Sequence, residues 1–112
     1  MEEVKSAGVT TVVDNNFSKE GLRSSWGISF LVESFSDDKK HSVLMDTCSS
    51  FKDFLSNASK LGLDPSVIEA VLISHWHGDH CSALSHDSSL LEPQTPVYFR
   101  SEKFLARVSI FF

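Results

Sequence analysis

Basic side chains are scarce in this chain. Ten Lys and Arg stand against fifteen Asp and Glu, a formal charge of −5 over 112 residues, and no basic run interrupts the sequence. Nucleic-acid affinity rests largely on Lys and Arg displacing counterions from phosphate, so no nucleic-acid partner is expected. Anionic membrane surfaces are disfavoured for the same reason. Long apolar runs are missing too. No stretch approaches the length of a membrane span, and Met1-Glu2-Glu3-Val4-Lys5 opens on acids without the apolar core of a signal peptide. These absences read as a soluble, cytoplasmic protein. Cysteine is limited to Cys48 and Cys81, too few for a disulfide framework in such a compartment. Internal repeats and low-complexity segments are absent.

What is present favours a packed core. Aromatics make up 11% of the chain, with nine Phe, and the length bounds it to a single domain over residues 1–112. Residues 8–13 are mostly β-branched and read as a first strand. Residues 26–33 read as a second, with Ile28, Phe30 and Val32 alternating with Ser29, Leu31 and Glu33. A charged hairpin connection follows over residues 36–41, with His41 as a solvated loop residue, and a short third strand over 42–45 delivers Asp46. Residues 50–61 carry Phe51, Phe54, Leu55, Ala58 and Leu61 at helical period, Ser50 and Asp53 in a capping-box pattern, and Gly62 placed for a C-terminal cap. Asp64-Pro65 opens a short helical turn. Strand, helix, strand in that order predicts a right-handed crossover that sets the third and fourth strands parallel. A last strand is expected at 97–100, between a loop bracketed by Pro93 and Pro96 and a helical turn at 102–107.

The chemistry gathers between Val71 and His80, where Val-Leu-Ile-Ser is followed by His-Trp-His-Gly-Asp-His. Val71, Leu72 and Ile73 read as a buried strand, so the polar cluster emerges where that strand ends. Open α/β sheets place their chemistry there. His75 and His77 are two apart, so in an extended or gently turning segment both rings reach one cation. Asp79 and His80 lie one turn further, and Gly78 lends the backbone freedom to fold them inward. Imidazole and carboxylate together suit one or two zinc ions, with manganese and iron also compatible. Scattered surface histidines are the plainer reading, but four ligand-type side chains in six positions have little use in packing.

Three neighbouring positions have two readings each. Asp14-Asn15-Asn16 is an Asx turn or a lip of the cleft. Asp46 caps the turn after its strand, or accepts a hydrogen bond from a ligand histidine and fixes its tautomer. Cys81 is a small buried thiol, or a metal ligand or redox group.

His75-Trp76-His77-Gly78-Asp79-His80, after a hydrophobic strand and a Ser, resembles the His-x-His-x-Asp-His signature of the metallo-β-lactamase superfamily. Asp46-Thr47 resembles that family's Asp-Thr-Gly turn, with Cys48 in the glycine place. Val13-Asp14-Asn15, Ser25-Trp26-Gly27 and residues 57–64 are similar to a branch containing dihydropterin-linked ribofuranosylaminobenzene phosphate synthases. The resemblance spans about residues 8–100, the N-terminal half of such a domain. It implies an α/β (α+β) fold, half of an αββα sandwich with a mixed sheet and flanking helices. Family members usually carry glycines where Ser82 and Ala83 stand.

The same resemblance implies that His75 and His77 belong to one metal and Asp79 and His80 to a second. Asp79 would then also orient the nucleophile, and Asp46 would support a ligand histidine. The implied reaction is hydrolysis of an ester, thioester, amide or phosphoester in a small-molecule substrate. The family takes further ligands from its second half. His86 and Asp87 match none of those positions, and the apolar end Ile110-Phe111-Phe112 fits a chain that stops mid-domain. Two expectations follow: a truncated metal-dependent hydrolase with an impaired site, or a non-catalytic half-domain that completes its sheet with another copy or a partner chain.

Overall fold

β-branched side chains fit a pleated surface, and Val9, Thr10, Thr11, Val12 and Val13 end the first strand, β1 (Ser6–Val13). The computed structural model describes residues 3–16, 21–75, 77–78, 80–81, 95–99 and 102–105, the last four by backbone. Its strands form one six-stranded mixed sheet in which order along the sheet equals order along the chain. β1 pairs antiparallel with β2 (Ser29–Phe35), and β2 antiparallel with β3 (Lys40–Met45). β4 (Ala70–Ile73) lies parallel to β3, as the crossover predicts, and β5 (Pro96–Phe99) parallel to β4. β6 (Glu102–Leu105) returns antiparallel to β5.

Helix α1 (Phe51–Lys60) joins β3 to β4 and follows its sequence signals closely. The Ser50 hydroxyl accepts from the Asp53 amide. At the other end Gly62 takes φ +73, while the Leu63 amide donates to the Ala58 carbonyl at 2.8 Å and the Gly62 amide to Ser59 at 3.2 Å. That pair of bonds is a Schellman cap, and it satisfies carbonyls the helix would leave open. Phe51, Phe54 and Ala58 are buried, the two rings edge to face at 5.9 Å.

Beneath the helix, Leu31, Leu44, Val71 and Val97 stand in one cross-strand row and are all buried. The register shift between Thr11 and Val13 is a β-bulge, which is how the consecutive Val12 and Val13 both become buried. The opposite sheet face carries Phe30, Met45, Leu72 and Tyr98 in the adjacent row. Met45, Leu72 and Tyr98 are 37%, 42% and 38% exposed.

Several sequence expectations are corrected. The second strand begins at Ser29, because residues 26–28 spend their carbonyls elsewhere. Ile28 accepts from the Cys48 amide at 3.0 Å and Trp26 from the Ser49 amide at 3.2 Å, and Gly27 takes φ +102. β3 starts at Lys40, so His41 is a strand residue whose Nδ1 lies 3.1 Å from both Glu69 carboxylate oxygens. Pro96 opens β5 rather than closing a loop, a first-residue place that wastes no ladder donor. The helical turn expected from Glu102 is strand β6 instead. Four residues are too short for periodicity to separate the two states, and pairing with β5 decides the outcome. Pro93, at the start of the expected loop, and the apolar end lie outside the described residues.

Candidate metal centre

β3 and β4 are parallel, so their C-terminal ends lie side by side, and the chain leaves them as Asp46 and Ser74. Asp46 turns inward through an unusual backbone, φ +58, held by its amide donating to the Leu72 carbonyl at 2.8 Å and its carbonyl accepting from the Ser29 hydroxyl at 2.7 Å. The resulting carboxylate is buried. It accepts three hydrogen bonds: the Ser74 amide to Oδ1 at 2.7 Å, and the Ser74 hydroxyl and His80 Nδ1 to Oδ2 at 2.6 and 2.8 Å. Of the two readings of Asp46, the bond from a motif histidine is present, while its carboxylate braces Ser74 after β4 rather than capping the turn after its own strand.

The motif is folded more tightly than an extended segment. The His77 amide donates to the His75 carbonyl at 3.0 Å, and the His77 carbonyl then accepts from the amides of His80 and Cys81. Gly78, His80 and Cys81 have helical backbone. Gly78 therefore serves as a helical residue rather than as a hinge. The three rings come together: His75 lies 4.0 Å from His80 and 4.7 Å from His77 between ring centroids. The His80 carbonyl accepts from both the amide and the hydroxyl of Thr47, at 2.8 and 3.1 Å, which ties the motif back to the β3 end.

Asp79 and Trp76 lie outside the described residues, as do His86 and Asp87. Among the described residues, no three His, Cys, Asp or Glu side chains are arranged to hold a metal ion. The fit to a divalent cation rests on donor chemistry. In His80 and His75 the Nδ1 atoms face Asp46 and Ser74, the polar engagement that metal-binding imidazoles show at the nitrogen away from the ion. Cys81 is buried and its thiol donates to the His77 carbonyl at 3.1 Å, as a packing thiol does. Asp14 makes the expected Asx turn, accepting from the Asn16 amide at 3.0 Å.

Ser74 and Thr47 entered the sequence reading only as parts of the family motifs, with no role assigned to either. The signal for Ser74 was a hydroxyl placed between a buried strand and the first histidine; that for Thr47 was its place directly after Asp46. Cys48 is buried at φ +56, a left-handed position that explains why a glycine is at home there.

A buried carboxylate after β3 and a histidine cluster after β4 thus meet at one end of a mixed sheet. The chain belongs to the Metallo-beta-lactamase superfamily, whose family model matches residues 29–86, just over half of it. Among curated relatives, the 7,8-dihydropterin-6-methyl-4-(beta-D-ribofuranosyl)-aminobenzene-5'-phosphate synthase of Methanocaldococcus jannaschii is 31% identical over 75 residues, covering 67% of this chain and 26% of that protein. Similar solved structures include the metallo-beta-lactamase MIM-1 from Novosphingobium pentaromativorans, 35% identical with a TM-score of 0.41, over 52% of this chain and 20% of that one. A metallo-beta-lactamase of Thermotoga maritima is 24% identical, also at TM-score 0.41, over 70% of this chain and 38% of that one. The chain spans about a quarter of the length of the curated relative. No helix among the described residues is long and apolar enough to cross a membrane.

Proposed function

We propose that this chain supplies the histidine-bearing end of a metal-dependent hydrolase site acting on a small-molecule ester, thioester or phosphoester. The observation that carries this reading is the Asp46 network at the ends of β3 and β4, which holds His80 and the Ser74–His75 step beside each other. In it His75 and His77 serve one divalent ion, and Asp79 and His80 a second, with zinc the best match to the donors and manganese or iron compatible. Such an ion supplies Lewis acidity toward a carbonyl or phosphoryl oxygen. Asp46 orients His80, Thr47 fixes the backbone beneath it, and Asp79, besides holding the ion, would orient the attacking group. Four donors do not fill two coordination spheres, so this reading leaves places for water, substrate and further protein ligands. The similarity to a synthase supports, as an alternative within this reading, a reaction on a dihydropterin-linked phosphate.

The open row of Met45, Leu72 and Tyr98 favours a second reading, in which a non-catalytic half-domain completes itself against another copy or a partner chain. Metal content and solution mass, measured together on protein without a metal-binding tag, test both. The hydrolase reading expects about one or two ions per folded chain. His75→Ala and His77→Ala abolish that binding and His41→Ala leaves it intact. Equal losses from all three variants contradict the site, and a metal-free, well-folded dimer supports the half-domain.

A further inference from the structure

Ser74 connects the buried carboxylate to the first histidine of the motif. Its Oγ lies 2.6 Å from Asp46 Oδ2 and 3.0 Å from His75 Nδ1. A hydroxyl owns one proton, and an ionised carboxylate is an acceptor only. The Ser74 proton therefore goes to Asp46, and the contact with His75 is made by the ring donating Nδ1–H to the Ser74 oxygen. The proton positions follow from these partners. In the neutral ring the lone pair then sits on Nε2, which has no hydrogen-bond partner among the described residues.

We infer that Ser74 is a positioning residue that fixes His75 in its Nδ1–H tautomer, so that one carboxylate, Asp46, sets the metal-facing nitrogen of two histidines. It does so directly for His80, whose Nδ1 donates to the same Oδ2 at 2.8 Å, and through Ser74 for His75. The Ser74 amide on Oδ1 keeps the carboxylate from rotating away. Free histidine in water favours the opposite, Nε2–H form, so the arrangement reverses an intrinsic preference. Its value for ligation rests on the metal-site reading above; the tautomer itself does not.

Two-bond nitrogen–proton correlation spectra of imidazole-labelled, metal-free chain in mildly alkaline buffer read the tautomer directly. The wild type is expected to show His75 as Nδ1–H, Ser74→Ala to move it toward Nε2–H, and Ser74→Thr, which keeps the hydroxyl, to restore it. Zinc affinity by chelator competition is expected to fall about tenfold or more in Ser74→Ala and to return in Ser74→Thr. An Nε2–H His75 in the wild type overturns the inference, whether or not the alanine variant folds. So does an unchanged tautomer in an alanine variant whose backbone spectrum stays native. The expected tautomers with no zinc bound by any variant uphold the positioning role and sink the metal reading alone.

Discussion

Asn57 and Arg23 exchange two hydrogen bonds across 34 positions of chain: the Arg23 amide donates to Asn57 Oδ1 at 2.7 Å, and Asn57 Nδ2 donates to the Arg23 carbonyl at 2.8 Å. Nδ2 also donates to the Val12 carbonyl at 2.8 Å, so one buried amide fastens α1 to the bulge of β1 and to the loop before β2. Asn57→Leu, which keeps the volume but strands the buried Val12 carbonyl and the part-buried amide and carbonyl of Arg23, is expected to cost about 2–3 kcal/mol in urea unfolding. Asn57→Asp fares no better at neutral pH, because it offers acceptors to two carbonyls.

Cys48 combines a left-handed backbone with complete burial, and burial pushes its thiol up to about 11. The folded protein should therefore leave this thiol unmodified by disulfide reagents near neutral pH, with reaction following unfolding. Cys48→Gly relieves backbone strain of about 1–2 kcal/mol and forfeits buried side-chain volume of similar worth, so its stability should stay near wild type. Cys48→Val keeps the volume and worsens the strain, and is expected to lose about 2 kcal/mol or more.

The two sheet faces make opposite predictions. Leu44→Ala, under α1, should cost about 3–5 kcal/mol, and Phe54→Ala a similar amount. Leu72→Ala, on the open face, should cost under about 1 kcal/mol in an isolated chain. A large loss at Leu72 that depends on protein concentration would reveal that the open face is covered by another copy.

Glu69 is held below the ordinary glutamate range, chiefly by its bond with His41 and next by the Ser42 amide at 2.9 Å. A carboxyl lowered in the folded state adds stability above its ordinary value of about 4.3, and that contribution is lost as pH falls through the folded value. Glu69→Gln should lower the urea midpoint at neutral pH and flatten its fall as pH drops below about 5. Both partners are exposed, so the difference is small.

Residues whose environment is local were legible in the sequence. Ser50, Gly62 and Asp64 cap what their spacing announces, because a cap is decided within a few positions. His75, His77 and His80 were found as a cluster for the same reason. Asn57 was not, since nothing in a helical pattern separates a polar residue facing water from one reaching a loop 34 positions away. The strand identity of 102–105 and the place of His41 in β3 depended on hairpin pairing with Pro96–Phe99 and with Ser34, which so short a pattern does not announce.

A sheet whose strands are laid down in chain order has a history built into it. Each strand from β2 onward pairs with the one made just before it, so no strand waits for a segment still to be synthesised. The β1–β2–β3 meander leaves the ribosome first, α1 follows to cover it, and β4 then docks along an edge that already exists. The Asp46 amide bonds to Leu72 and the Thr47 amide to His80, so the turn after β3 closes only when β4 docks, and carboxylate and histidines settle together.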